Sequence, residues 1–451
     1  MQNQERSRLL GQMPMSRLVP KVSVPIMVSM LVQALYNIVD SMFVAKYDPN
    51  ALTAVSLAYP IQMLMIALST GMGTGMSSLI SRRLGEKNTQ MARIAACNGL
   101  FIQLCGSMLF MVIGLFFSQV FMRAFTPDAA LQALGAEYLS IVCICSVGLF
   151  ISISMERLMQ ATGNTMLSMF TQLIGAVVNI ILDPIMIFTM NMGIAGAAWA
   201  TVIGQMSGML LGLYLNQTRN HELHLSLKDF RLSRQVISGI FAVGFPSTVM
   251  SSIGSVLNVL LNLLLIGFGN AAVSVLGVYF KLQSFVFMPV FGLSNGLVSI
   301  IGYNYGARSR KRVYQAINVA LVWAGVIMAL GAAAFMLFPD ALMSLFESGA
   351  ASELTEIGRV TLRIISLSFI PAAVGITLGT VFQAVGKGVY SLVMSLCRQL
   401  VVLLPAAWLL SLAGGLNALW WAWPIAEIVS VTICLIYFAR CNRTMLRPLG
   451  E

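Results

Sequence analysis

Apolar residues run through this 451-residue chain in twelve long blocks, each parted from the next by a short polar or basic segment. The blocks fall near residues 18–46, 52–80, 94–119, 133–156, 165–190, 194–217, 236–267, 272–303, 315–339, 359–383, 389–412 and 416–439. A helix needs roughly 20 apolar residues to cross a bilayer, and every block is long enough. The pattern predicts an all-α integral membrane protein with twelve transmembrane helices.

The twelve blocks are two sets of six. Residues 71–88 (GMGTGMSSLISRRLGEKN) and 292–309 (GLSNGLVSIIGYNYGARS) align at an offset of 221, pairing Gly71 with Gly292, Gly75 with Gly296, Ser78 with Ser299 and Gly85 with Gly306. The register holds upstream, where Pro25 meets Pro246, Asn37 meets Asn258 and Gln62 meets Gln283. Downstream it drifts by one or two residues, so that Gln160-Ala161-x-Gly163 meets Gln383-Ala384-x-Gly386 and Gly193 meets Gly415. The expected organisation is a first lobe over residues 1–217, a polar linker over 218–235 and a second lobe over 236–451. An even number of spans per copy gives both copies the same orientation, related by an axis along the membrane normal, which is a transporter architecture.

Composition removes the soluble alternatives. Hydrophobic residues make up 58% and charged residues 10%, against ~25% charged in an ordinary soluble domain. The net charge of +11 reflects topology rather than nucleic-acid binding. Of the 27 Lys and Arg residues, 21 fall on one face of the predicted topology, three on the other and three within spans. Under the positive-inside rule both termini and the linker are cytoplasmic, in an inner (plasma) membrane protein. Seven cysteines show no paired spacing, and His221 and His224 lie in the linker without a third ligand. HExxH and P-loop motifs are missing and no His lies within a span, so neither an enzyme nor an ATP-driven pump is expected, and no cofactor.

Three acids fall deep in spans, where charge is costly. Asp40 lies in YNIVDSMFVA with Tyr36 and Asn37 on the same helical face; Asp183 lies in NIILDP with Asn179 one turn earlier. Pro184 withdraws a backbone donor from the Ile180 carbonyl, and the sixth span adds Thr201. Two carboxylates, an amide, a phenol and a hydroxyl form an oxygen-rich set suited to a Na⁺ or to a proton shared between acids. The duplication is an internal control. At the paired positions Asp40 becomes Leu261, Asp183 falls on Ala406 and Thr201 becomes Trp423, so the packing residues repeat and the acids do not. Glu427 is the third acid. Lys281, Arg363 and Arg398 are embedded cations with two readings each, substrate or gate contact against structural pairing or snorkelling.

These residues resemble the multidrug and toxic compound extrusion (MATE) family in its prokaryotic branch. The likeness is carried by YNIVD, QATGN, NIILDP, GIAGAAWAT, GYNYGA and FQAVGKG, in that order along nearly the whole chain. It implies a two-lobed, V-shaped exporter of drugs in exchange for H⁺ or Na⁺, with a first-lobe cation site at Tyr36, Asp40, Asn179, Asp183 and Thr201. It also implies a helix-one bend at Pro25. Another branch carries acids in spans seven and ten, where this chain has none, and Asn295 stands where relatives often have Gln. The expected function is secondary active efflux of amphipathic, often cationic compounds by a monomer, with a flippase for a lipid-linked precursor as the alternative. Asn37, Asn295, Arg363, Arg398 and Glu427 are the candidate substrate or gating positions.

Overall fold

The computed structural model describes residues 5–226, 229–346 and 353–450. Within them the protein is a bundle of helices. A short α1 (Glu5–Gln12) leads into α2 (Met15–Tyr47), α3 (Pro49–Gly85) and α4 (Thr89–Phe116). Then follow α5 (Ser118–Phe125), α6 (Ala129–Ile144), α7 (Val147–Ala161), α8 (Thr165–Pro184) and α9 (Gly193–Arg219). The second half repeats the order with α10 (Arg234–Ile266), α11 (Asn270–Gly306), α12 (Arg310–Leu337), α13 (Pro339–Ser344), α14 (Glu353–Ser366) and α15 (Phe369–Ala384). It closes with α16 (Gly388–Leu396), α17 (Leu404–Leu419) and α18 (Ala422–Cys441).

Among the described residues ten helices are long and apolar enough to span a membrane, and two bent pairs, each counted as one span, bring the number to twelve. The pairs are α6 with α7, bent by 47°, and α14 with α15, bent by 48°. Each break falls at a serine, Ser146 or Ser368, and Gly148 or Pro371 follows within three residues. Such residues weaken the helical ladder at a point. The span predicted to end at 156 therefore continues to Ala161.

The repeated residues explain themselves in the backbone. Gly163 (φ 78°) and Gly386 (φ 88°) turn the chain from one span into the next in equivalent places, as do Gly193 (φ 57°) and Gly415 (φ 68°). Only glycine takes that left-handed conformation without strain. A second set lies where the halves meet. A Cβ on Gly71 would come 2.7 Å from Thr248 Cα, and one on Gly292 would come 2.7 Å from Met27 Cα. Thr248 and Met27 are themselves 221 apart. Gly85 abuts the Tyr303 carbonyl and Gly306 the Arg82 carbonyl, again a pair related by the repeat.

Side-chain hydrogen bonds that cross between the halves cluster, among the described residues, toward the end that carries the basic loops. Ser78 Oγ donates to the Gln383 carbonyl at 2.6 Å, and Ser77 and Ser299 hydroxyls meet at 3.4 Å. Asn304 Nδ2 and Arg312 Nη2 each donate to the Leu10 carbonyl at 3.0 Å, which ties α1 to the second half. Pro20 and Pro25 lie inside α2, which continues through both as one helix.

Candidate functional site

The first half brings the predicted acids together. Asp183 is fully buried at the last turn of α8, and Asp40 is half-buried on α2. Their carboxyl groups lie within hydrogen-bonding reach of each other. Two carboxyls can make that bond only when one of them carries a proton. Asp40 Oδ1 is buried and receives no hydrogen bond.

Neutral ligands complete the set. Asn179 is buried one turn below Asp183. With its amide nitrogen toward the acid, Asn179 donates to Asp183 Oδ2 at 3.1 Å and accepts the Thr201 N–H at 3.1 Å. The opposite amide orientation gives only 3.4 Å contacts to Asp183 Oδ1 and Thr201 Oγ1. α9 can deliver Thr201 here because α8 and α9 approach closely: a Cβ on Gly204 would come 2.6 Å from the Gly175 carbonyl and 3.1 Å from Asn179 Cβ. Beyond Pro184 the helix widens into a π-turn over Ile185–Thr189, a distortion common at functional sites.

Phenols lie near the acids. Tyr36 stands beside Asp40, Asp183 and Tyr59. The buried Tyr138 of α6 lies near Asp40, Tyr36 and Asp183, and its hydroxyl donates to Gln62 Oε1 at 3.5 Å. Tyr59, Gln62 and Tyr138 did not emerge from the sequence as site residues, because they lie on other helices and only the fold gathers them. Gln62 carried a faint signal as a polar position repeated in both halves.

Two acids within hydrogen-bonding reach and an oxygen-rich wall fit a monovalent cation or a proton. Asp40 Oδ1, Asp183, the Asn179 amide oxygen and the Thr201 hydroxyl supply hard oxygen donors, as Na⁺ prefers. Among the described residues no group of three or more His, Cys, Asp or Glu offers a site for a tighter-binding metal.

Among the described residues the second half contains no such pair. Leu261 is buried in the apolar core there, and Ala406 and Trp423 pack against it. Arg398 and Glu427, read separately in the sequence, form one ion pair at 2.8 Å. Arg398 lies in a π-turn over Cys397–Leu403, which comes before the position paired with Asp183, whereas the π-turn of the first half comes after it. Arg363 is exposed and donates to the Met336 carbonyl at 3.3 Å. Lys281 lies over the Phe346 ring, 5.7 Å from its centre. Asn37 is exposed, and Asn295 donates to Met30 Sδ at 3.7 Å across the junction of α11 and α2. Pro25 is buried in α2, away from the acids.

A profile of the MatE family matches residues 25–185 and 246–409, one stretch in each half. The multidrug export protein MepA of Staphylococcus aureus is 25% identical over 435 residues, covering 96% of each chain. A crystallised MATE protein in complex with MaL6 superposes with a TM-score of 0.92 at 26% identity, covering 98% of this chain and 99% of the other. The outward-facing conformation of a multidrug resistance MATE family transporter of the MOP superfamily gives the same score and identity, covering 98% of each.

Proposed function

The chain belongs to the MatE family, and from that premise we propose that it is a secondary multidrug exporter driven by inward H⁺ or Na⁺ through Asp40 and Asp183. The observation that carries this reading is the contact between two acids in one half of a duplicated protein, with apolar residues at the paired positions of the other half. A proton or Na⁺ at the pair neutralises it and favours one arrangement of the halves; drug binding favours the other. Each ligand then weakens the other by the same factor.

With the basic end in the cytoplasm, the glycine contacts at that end close the cytoplasmic side, so this conformation is outward-facing. The two halves act as lobes over residues 1–217 and 236–451 that rock about this junction. Substrates are amphipathic, often cationic compounds; the staphylococcal relative bears the name of a multidrug export protein. The flippase alternative relied on Arg363 and Arg398, and Arg398 is already paired with Glu427.

The test is efflux of a cationic dye from vesicles under separately imposed pH and sodium gradients. Acceleration by either gradient supports antiport. Dye movement that ignores both overturns it.

A further inference from the structure

The interior of the first half stays polar well past the acid pair, in the direction of the basic end. Gln205 stands one turn from Thr201 on α9, and its Oε1 is buried with no hydrogen-bond donor. Further along, Gln172 Nε2 donates to Gln33 Oε1 at 2.6 Å. Gln33 sits on the α2 face that carries Tyr36 and Asp40, at spacings of three and seven residues. Gln160 Nε2 then donates to Ser168 Oγ at 2.9 Å. Asp183, Asn179, Gln172 and Ser168 fall on one face of α8, a polar stripe about 22 Å long at the helical rise.

At the inner part of this stripe lies an acid that the mechanism above does not use. Glu156 is half-buried on α7, one turn from Gln160 on the same helix face. Its neighbours on α7 show where that face points. Ser152 and Met155 pack against Gly208 and Gly212 of α9, and Arg157 packs against Gly73 of α3. The Glu156 position falls between those two directions around the helix, on the face from which Gln160 reaches Ser168 of α8. The charged group beside it is Arg157, whose Nη1 donates to Gln160 Oε1 at 3.1 Å. Among the described residues Glu156 makes no ion pair. The sequence concealed it, because it falls on the last residue of a predicted span.

We propose that Glu156 is a second, inner acceptor for the coupling cation, and that the glutamine ladder is the route by which the cation passes from Asp40 and Asp183 toward the basic end. The inference rests on the antiport reading. The orphaned Gln205 oxygen and the Gln172–Gln33 and Gln160–Ser168 pairs offer successive oxygen ligands. A Na⁺ would step between them, and a proton would cross on water held by them. At the inner end the carboxylate of Glu156 receives the charge.

The test compares wild type with Glu156→Gln, Glu156→Asp and Gln205→Leu in proteoliposomes, alongside drug binding to the purified proteins. Glu156→Gln should bind drug within twofold of wild type, and protons or Na⁺ should still displace it, because the outer pair is intact. Its ion-driven efflux should fall at least tenfold, with partial recovery in Glu156→Asp. Gln205→Leu should slow efflux in the same way. Wild-type efflux in Glu156→Gln overturns the proposal, and so does loss of ion-linked drug release, which would make Glu156 part of the outer site. If Glu156→Gln does not fold, wild-type efflux in Gln205→Leu overturns the ladder. Absence of ion-driven efflux in wild type itself would overturn the antiport reading instead.

Discussion

The carboxyl groups of Asp40 and Asp183 lie within hydrogen-bonding reach although they belong to helices far apart in sequence. Nothing at the paired positions of the second half copies that contact. Asp40→Asn and Asp183→Asn should therefore each abolish gradient-driven efflux and leave membrane insertion and folding intact. Transport assays with matched expression check this, and wild-type rates in both variants would remove the coupling role.

Asn179 and Thr201 are neutral ligands, so their loss should be milder. Asn179→Ala or Thr201→Ala leaves both acids in place and removes one oxygen. If Na⁺ is the coupling ion, its apparent affinity should fall about tenfold for a loss of ~1.4 kcal/mol. The measurement is efflux rate against Na⁺ concentration. A sodium dependence that does not move would assign the site to protons alone.

The junction of the halves should be intolerant of a single methyl group. Gly85 faces the Tyr303 carbonyl and Gly306 the Arg82 carbonyl with no room for a Cβ. Gly85→Ala and Gly306→Ala should hold the basic end apart, slow transport, and lengthen the distance between spin labels placed on the two halves there. Because the contacts are related by the repeat, the two variants should behave alike. An unchanged distance would contradict the assignment of this junction as the inner closure.

Arg398 and Glu427 should behave as structural partners. The Glu427 side chain is 8% exposed and that of Arg398 31%, so removing one charge leaves the other poorly solvated. Arg398→Ala should lower thermal stability by about 1–3 kcal/mol, and adding Glu427→Ala should recover part of the loss. A strictly additive double variant would show that the pair is not coupled.

Much of this was legible in the chain. The twelve spans follow from apolar block length, and the halves from the 221-residue repeat. The repeat also marked Gly71, Gly85, Gly163 and their partners, whose roles are close approach and left-handed turns. Asp40, Asp183, Asn179 and Thr201 stood out because burying polar groups in a bilayer is costly. What stayed hidden depends on contacts between distant segments. Tyr138 reaches the acids only because α6 packs against α3, and Arg398 meets Glu427 only because α18 lies beside the π-turn. Glu156 was lost to a span boundary set five residues short, since the apolar block ends before the helix does.

The central claim is that Asp40 and Asp183 form one switch that a proton or Na⁺ can occupy. Two carboxylates in contact repel when both are ionised, and either ion relieves that repulsion, so the two ions compete. The direct measurement is drug binding to the purified protein across pH, with and without Na⁺, in wild type and Asp40→Asn. Wild type should bind drug more weakly as pH falls, with a transition that Na⁺ moves to lower pH, and Asp40→Asn should lack that transition. A transition that persists unchanged in Asp40→Asn would contradict the account and place the switch elsewhere.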